Sequence, residues 1–432
     1  MNGELMTGNM AAAWGARLAD VDYVPAFPIT PQTEIVEALS KWCDSGDMDA
    51  RFVTMDSEHS MMTAAGAAAA TGARVFTATS SQGLLYAFEV LYTVSGWRVP
   101  LVLVNVSRAL ASPITLEPDH NDVLAARDSG FLQIHAETCQ EVLDSILMAY
   151  RIGEDARVCL PVIVNLDGFY LSFTREPVSR PDPELVRAFL PPFRAAHLGF
   201  KASVPHAQGV AVLSGSTYSY FRHQMHLASM NALQVHQEAA TEFERLFGRR
   251  YDLVDAYRLD DAEDVLVMSN AFATKGKAAV DVARAQGRLV GLLRLRVIRP
   301  WPADAIRQAL QGRRAVAVLD QNLSPGQGGI LFQEIAACLY HEALRPRALC
   351  SFIGGLGGKN LSEGELQTIF EQTAEAGAQG KGIGPVLLYT VKIVICASLP
   401  SNSLTASRAA AQSKALATII ADNSFLRRFT ME

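Results

Sequence analysis

Residues 51–72 read RFVTMDSEHSMMTAAGAAAATG, and the order of residue types predicts a strand, an acidic turn and a helix. The β-branched and aromatic run at the start favours a strand, and the alanine-rich run that stops at Gly72 favours a helix. Glu58 lies in the turn, after the carboxyl end of the predicted strand. Parallel sheets bind their ligands at that edge, so Glu58 is a candidate for chemistry.

The same order of strand, polar turn and helix recurs on both sides of this stretch. Further strands are predicted over residues 23–27, 74–79 and 100–106. The polar residues that follow the strand ends are Thr30, Glu58, Ser80–Gln82 and Arg108. Helices between such strands force parallel pairing through right-handed crossovers. We therefore expect these residues to meet at one edge of one sheet, with the irregular segment 110–122 lying over it.

Composition along the chain divides it into regions. We predict an α/β domain over 1–175, a proline-rich linker with a long connecting helix over 176–259, a second α/β domain over 260–375 and an unassigned tail over 376–432. Within these regions we expect single helices over 84–95 and 218–247 and a single strand over 289–297. Ser362 and Glu365 have the spacing of a capping box for the last helix.

Charge and cysteine usage exclude several classes of protein. The net charge of −6 over 432 residues comes without a Lys/Arg run, which argues against nucleic acid or a membrane surface as partner. Six cysteines are scattered singly, so no metal or iron-sulfur site is expected. The N-terminus lacks the pattern of a secretory signal, and the apolar run 386–399 is too short to span a bilayer. These features predict a cytoplasmic protein.

Each candidate residue has a functional and an ordinary interpretation. Glu58 can hold a ring nitrogen of a heteroaromatic cofactor such as thiamine diphosphate, or it can simply complement a helix dipole. Arg108 can grip a carboxylate with its planar fork, or it can form a surface salt bridge. Thr30 can donate to a substrate oxygen, or it can cap a helix. The cluster 119–122 suits turn formation as well as chemistry.

Glycine-rich motifs give weaker signals. Segments 325–329 and 354–359 fit neither the dinucleotide fingerprint nor the P-loop, although their amides could bind an anion such as a phosphate of coenzyme A. The missing fingerprint argues against an NAD-binding dehydrogenase. The sequence also lacks the Gly-Asp-Gly motif that binds metal and diphosphate in thiamine enzymes. A thiamine protein of this sequence would therefore supply only half of the cofactor site.

Several segments, in order, resemble the α subunit of 2-oxoacid:ferredoxin oxidoreductases of the pyruvate synthase type. They are FPITPQTEIVEAL (27–39), DSEHSMMTAAGAAAATGARVFTATSSQGL (56–84), PLVLVNVSRALASPI (100–114), DHNDVLAARDSGFLQ (119–133), LPVIVNLDGFYLS (160–172) and GLLRLRVIRPWP (291–302). The resemblance covers roughly residues 8–375. It implies the pyrimidine-binding half of a thiamine-diphosphate-type parallel-sheet fold, followed by a transketolase C-terminal-like α/β domain.

The resemblance implies an enzyme that converts a 2-oxoacid and coenzyme A to acyl-CoA and carbon dioxide. Partners implied by the family are a β subunit with the diphosphate, Mg²⁺ and a [4Fe-4S] cluster, γ and ferredoxin-like δ subunits, and external ferredoxin. Glu58 then matches the carboxylate that activates the pyrimidine, while Thr30 and Arg108 match residues that hold substrate oxygens. The remaining residues assigned to the cofactor by position are Pro28, Ile29, Ser81 and Gln82. No metal ligand is assigned to this chain.

One loop departs from the family pattern. Pyruvate-specific members carry an Asn-Ile-Trp-Asn-Asp-His type run where this chain has ITLEPDH over 114–120. The substrate-loop residues assigned here are Ile114, Leu116, Asp119 and His120. Loss of the Trp suggests a wider pocket, so an aryl 2-oxoacid such as phenylglyoxylate is an alternative, with a flavin (FAD) subunit passing electrons to NAD. Oxalate fits less well, because residues 110–117 supply no second cation. A non-catalytic scaffold is the other alternative, and the retention of Thr30, Glu58 and Arg108 argues against it.

Overall fold

The computed structural model describes residues 3–193, 199, 203, 205 and 207–389. Its strands are β1 (Glu4–Thr7), β2 (Tyr23–Ala26), β3 (Arg51–Thr54), β4 (Phe76–Thr79), β5 (Val102–Ser107), β6 (Leu132–His135), β7 (Val162–Asp167), β8 (Arg175–Val178), β9 (Val254–Tyr257), β10 (Asp264–Ser269), β11 (Val290–Leu295), β12 (Val297–Arg299), β13 (Ala315–Asp320), β14 (Ala348–Ile353) and β15 (Val386–Leu387). Its α-helices are α1 (Gly8–Leu18), α2 (Thr33–Ser45), α3 (Glu58–Ala70), α4 (Gln82–Tyr86), α5 (Phe88–Gly96), α6 (Asn121–Ala125), α7 (Cys139–Gly153), α8 (Pro183–Phe189), α9 (Gly215–Phe247), α10 (Phe272–Ala285), α11 (Ala303–Leu310), α12 (Ile330–Leu339) and α13 (Glu363–Gln379).

The stretch around Glu58 folds as its sequence predicts. After β3, the Ser57 hydroxyl caps α3 by accepting a hydrogen bond from the Ser60 amide at 3.2 Å. The small residues of α3 let it pack closely on α5, and a Cβ added at Gly66 would lie 2.5 Å from Cγ2 of Val94. The alanines therefore serve close packing of helices beside the sheet.

The first sheet has parallel strands in the order β4-β5-β7-β6, and β12 adds an antiparallel edge strand from much later in the chain. Strands β2 and β3 form a parallel pair, joined to this sheet by a single bridge between Tyr23 and Val75. The carboxyl ends of β2, β3, β4 and β5 consequently point to one edge. The predicted convergence of their polar turns is found in the structure.

The second sheet has the order β15-β14-β13-β10-β11-β9 and is parallel except for β9. Two expectations are corrected here. Strand β9 lies inside the range predicted as linker and yet pairs with β11. The single strand expected over 289–297 is two strands, because Val297 leaves the second sheet and pairs with Ile134 of the first.

The proline-rich region after β7 is also more regular than predicted. Strand β8 pairs antiparallel with β1, and α8 begins with Pro183 behind an Asp182 cap. Both places tolerate proline, since an edge strand and a first helical turn need no amide from it. The helix expected over 84–95 is interrupted at Ala87 and forms α4 and α5. Helix α9 ends at Gly248 as predicted.

The apolar core joins the two α/β regions. Helices α1, α7 and α9 cover one face of the first sheet. A second apolar cluster contains Leu103 and Ile163 of the first sheet together with Val267 and Leu293 of the second. Burial of these side chains holds the described residues up to Leu388 in one compact unit.

The end of the described chain differs in part from the predicted unassigned tail. The capping box of Ser362 and Glu365 is present, α13 continues to Gln379, and β15 extends the second sheet. Most of the apolar run 386–399 and the rest of the tail lie outside the described residues. None of the described helices combines the length and the apolar character needed to cross a membrane.

Candidate active site

Glu58 is the first residue of α3, yet its side chain is only 6% exposed. Its carboxylate lies against the turn after β4, because a Cβ added at Gly83 would lie 2.5 Å from Glu58 Oε1 and 2.6 Å from Thr79 Oγ1. Within the described chain this carboxylate makes no hydrogen bond and no ion pair. An acidic side chain stabilises a helix N-terminus from an exposed position as well. The helix-dipole role therefore does not explain why this carboxylate is buried without a partner.

The turn beside Glu58 carries other buried polar atoms without a partner. They are Thr79 Oγ1, Ser80 Oγ and Gln82 Nε2. Buried polar groups are normally hydrogen-bonded, so such a cluster indicates a site completed by a polar ligand. These donors and acceptors beside a carboxylate fit the ring nitrogen and amino group of an aminopyrimidine.

Arg108 follows β5 and is 7% exposed. Its Nε donates to the Thr115 carbonyl at 2.7 Å, and Nη1 donates to the Thr30 carbonyl at 3.2 Å. No carboxylate pairs with its guanidinium among the described residues, so the salt-bridge interpretation is not realised there. The two carbonyls orient the guanidinium and leave Nη2 able to donate to an anion.

Thr30 lies in the turn after β2, with Pro28 and Ile29. Thr30 and Pro28 are exposed and Ile29 is half-buried. A hydrogen bond from Gln32 Nε2 to the Phe27 carbonyl, at 2.9 Å, stabilises the turn. The Thr30 hydroxyl makes no hydrogen bond within the described residues, and the residue before α2 is Gln32, so Thr30 is not the cap of that helix.

The segment predicted to cover the edge does so. Thr115 contacts Arg108, whereas the side chains of Ile114 and Leu116 are 75% and 47% exposed. The glycine-rich turn of the second α/β region supports this segment: the Gly358 amide donates to the Pro118 carbonyl at 2.7 Å, and the Gly357 amide donates to Asp119 Oδ2 at 3.4 Å. Those two amides are therefore engaged with the covering segment.

His120 is buried at the boundary between the two sheets. Its Nε2 lies 2.8 Å from Asp167 Oδ1, and Asp167 also accepts a hydrogen bond from Asn270 Nδ2 at 3.0 Å. Burial alone would lower the pKa of His120, but the carboxylates around it, Asp167 first, raise it above its usual value. Burial lowers the pKa of the neighbouring His135 to about 3. His120 thus joins the two regions, and its ring is 1% exposed.

The buried position of Asp122 at the sheet edge was not predicted from the sequence. The sequence shows it only as the last member of an acidic loop cluster, but it is fully buried and hydrogen-bonds to the backbone after β4 and β5. Burial raises its pKa to about 6, against the hydrogen bonds that lower it. The available signal was its position in the segment that returns to the sheet edge.

Two other features lie away from these residues. A cavity of about 730 Å³ lies between α2 and the β2–β3 pair and is lined by Pro28, Val36, Lys41 and Phe52, but it includes neither Glu58 nor Arg108. The candidate site lies instead at the sheet edge, where the buried residues Glu58 and Arg108 have no charged partner among the described residues. Among the described residues no cluster of ligands suited to a metal ion is found.

Basic residues that could bind coenzyme A are engaged with carboxylates. Arg294 is fully buried against Glu141, with Nη2 at 2.8 Å from Oε1. Arg299 pairs with Glu334, and Lys359 pairs with Glu365.

Comparisons with known proteins agree with this fold. Residues 14–241 match the family model for pyruvate flavodoxin/ferredoxin oxidoreductase, thiamine diphosphate-binding, and residues 262–366 match the model for pyruvate:ferredoxin oxidoreductase core domain II. The chain thus has the fold of a thiamine-diphosphate-binding oxidoreductase. The chain belongs to the pyruvate:ferredoxin oxidoreductase family, as an α subunit of the 2-oxoacid:ferredoxin oxidoreductases.

Curated relatives cover nearly the same length. The chain is 42% identical over 376 residues to pyruvate synthase subunit PorA of Methanocaldococcus jannaschii, covering 86% of this chain and 95% of the relative. It is 38% identical over 379 residues to ketoisovalerate oxidoreductase subunit VorA of Pyrococcus horikoshii, covering 88% of this chain and 95% of the relative.

Solved structures share the fold. The 2-oxoglutarate:ferredoxin oxidoreductase from Magnetococcus marinus superposes with a TM-score of 0.63 at 18% identity, over 87% of this chain and 65% of that one. A split gene transketolase superposes with a TM-score of 0.50 at 11% identity, over 86% of this chain and 99% of that one. The predicted fold class is confirmed.

Proposed function

We propose that this chain is the α subunit of a pyruvate-type enzyme that oxidatively decarboxylates a 2-oxoacid to acyl-CoA and carbon dioxide and passes electrons to ferredoxin. The single observation that carries this proposal is that buried Glu58 and buried Arg108 lie at one sheet edge without a charged partner in the described chain. Charged residues with so little exposure are normally paired, so each is expected to meet a polar or charged ligand.

The division of roles follows from chemistry. Arg108 and Thr30 bind the carboxylate and oxo oxygens of the 2-oxoacid, since the planar fork of arginine suits a carboxylate. Glu58 holds a ring nitrogen of the thiamine pyrimidine in the pocket formed with Ser81 and Gln82. When bound, thiamine diphosphate supplies the electron sink for cleaving the bond between the carbonyl carbon and the carboxylate.

A half site requires partners. Without a Gly-Asp-Gly motif or a cysteine cluster in the sequence, a β subunit is proposed to hold the diphosphate, Mg²⁺ and a [4Fe-4S] cluster, with γ and δ subunits completing the electron path. Relatives named as subunits support this proposal. Coenzyme A is proposed as the acyl acceptor. Cytoplasmic location, predicted from the scattered cysteines, stays a prediction.

The substrate is the least constrained part. Relatives named pyruvate synthase favour pyruvate, and those named ketoisovalerate oxidoreductase make a branched 2-oxoacid a comparison worth measuring. The exposed Ile114 and Leu116 are the residues on which the phenylglyoxylate alternative depends. No relative named here supports that alternative.

The test is purification of the native complex and measurement of viologen reduction with coenzyme A and pyruvate, ketoisovalerate, 2-oxoglutarate, phenylglyoxylate or oxalate. We expect the highest kcat/KM with pyruvate. Glu58→Ala should abolish turnover without dissociating the subunits, whereas Glu89→Ala, at an 86% exposed side chain on α5, should not. A normal rate in the Glu58 variant would contradict the proposal.

A further inference from the structure

One carboxylate links the turn after β4 to the turn after β5. Asp122 Oδ2 accepts a hydrogen bond from the Ser81 amide at 3.1 Å and another from the Arg108 amide at 3.2 Å. Strands β4 and β5 are neighbours in the sheet, so the two turns lie side by side. One oxygen atom of Asp122 therefore ties the Ser81 amide to the Arg108 amide, in addition to the backbone pairing of the two strands.

The carboxylate itself is held by the sheet. Asn105 Nδ2 donates to Asp122 Oδ2 at 3.1 Å. The Ser107 hydroxyl has one hydrogen to donate and two acceptors within reach, Asp122 Oδ1 at 3.2 Å and Asn165 Oδ1 at 2.8 Å. The same Asn105 amide donates to Asn165 Oδ1 at 2.8 Å, which extends the network to β7. Asp122 is fully buried, and its hydrogen-bond partners are all donors. It is therefore held by the central strands as well as by the two turns.

Ser81 has a backbone that needs such an anchor. Its φ of +50° and ψ of −121° lie outside the regions that a residue with a side chain ordinarily adopts. Strained residues persist only where their surroundings hold them, and they concentrate at functional sites. The amide of Ser81 is held by Asp122, and its hydroxyl donates to the Ala109 carbonyl at 3.0 Å.

We propose that Asp122 is a positioning residue that holds the substrate-binding Arg108 against the cofactor-binding turn Ser81–Gln82. This inference rests on the function proposed above. Asp122 contacts neither ligand in this arrangement and acts through two backbone amides. A carboxylate is required because three donors converge on Oδ2 and the Val123 amide donates to Oδ1 at 2.7 Å, so the amino group of an asparagine would face a donor in either orientation.

The test uses the assembled complex. Asp122→Asn should raise the KM for the 2-oxoacid about tenfold while kcat falls less, because misplacing a substrate-binding group weakens substrate binding first. In the Arg108→Lys background, Asp122→Asn should raise KM by about twofold or less relative to Arg108→Lys alone. The effects of two residues that act through the same guanidinium are not additive once that guanidinium is removed. The matched control is Asp144→Asn on α7, a buried aspartate paired with Arg249 at 2.6 Å, which should leave KM unchanged.

A milder variant keeps the inference testable if Asp122→Asn does not assemble. Ser107→Ala removes one donor to Asp122 and should raise KM about threefold, again only when Arg108 is intact. An unchanged KM in the single variants, or equal effects with and without Arg108→Lys, would overturn the positioning role. Absence of 2-oxoacid oxidation by the wild-type complex would instead refute the proposed function, so the two failures are distinguishable.

Discussion

Arg108 Nη1 donates a hydrogen bond to the backbone carbonyl of Thr30 at 3.2 Å, which joins residues 78 positions apart in the sequence. The contact brings a guanidinium and a hydroxyl-bearing turn to the same sheet edge as Glu58. A second carbonyl, that of Thr115, accepts from Nε at 2.7 Å. The guanidinium is therefore oriented before any ligand binds, which reduces the entropy lost on binding.

Replacing Arg108 by lysine should raise the KM for the 2-oxoacid by about tenfold, because an ammonium lacks the planar, paired donors with which a guanidinium binds a carboxylate while it donates to two carbonyls. Steady-state viologen reduction by the complex measures this. Arg258→Lys provides the control, since Arg258 forms an exposed pair with Asp281. Equal KM values for the two variants would contradict a substrate-binding role for Arg108.

Gly83→Ala should lower kcat by about tenfold or more, because the new methyl group would displace the Glu58 carboxylate, which lies 2.5 Å from the Cβ position. Gly364→Ala on α13 is the matched control, as nothing lies within 4 Å of its Cβ position. Thermal unfolding of both variants separates a local effect from loss of structure. A Gly83 variant with normal kcat would show that Glu58 is not constrained as described.

His120 should stabilise the fold in a pH-dependent way. The pKa of His120 is raised above 6.5, so its stabilisation is fully present below pH 6.5 and is lost as the pH rises through the raised value. The pKa of Asp167 is lowered below 3.8, so its contribution is present above pH 3.8 and is lost in stronger acid. The wild-type protein should therefore be more stable than His120→Gln by a larger margin at about pH 5.5 than at about pH 9.

Thermal unfolding of the complex at both pH values measures that difference. His236→Gln is a control of opposite sign, because burial lowers the pKa of His236 to about 4 and the wild type then loses stability as the pH falls below 6.5. A difference in unfolding temperature between the wild type and His120→Gln that does not change with pH would rule out a charged His120–Asp167 pair.

Glu141→Gln should destabilise the protein by about 3 kcal/mol, the lower end of what breaking a buried ion pair costs, because Arg296 loses its carboxylate while Arg294 keeps Glu137 at 3.0 Å. Glu141 Oε1 lies 2.8 Å from Arg294 Nη2 and 2.6 Å from Arg296 Nε. These arginines lower the pKa of Glu141 to about 2 against the effect of burial, so its contribution persists above about pH 4.5. Chemical denaturation measures the loss, and Glu238→Gln, in an exposed pair with Arg157, should change stability little.

Local patterns predicted much of the site because local chemistry specifies it. The run from Arg51 to Gly72 predicts a strand, a cap and a helix. The alternation of such units requires parallel strands, whose polar turns lie at one edge of the sheet. Thr30, Glu58 and Arg108 could be brought together on that ground alone. The burial of Glu58 and Arg108 without charged partners could not be predicted in this way, because burial depends on residues distant in sequence.

Short-range order of residue types suffices to predict the alternation of strands and helices, the sheet edge that carries the polar turns and the family. Three other features depend on the folded chain: Val297 pairs with the first sheet, β9 belongs to the second, and Asp122 ties Arg108 to Ser81. Edge pairing and buried hydrogen bonds between distant residues are chosen by the shared core, where many weak contacts are satisfied together. No window of neighbouring residues contains that information.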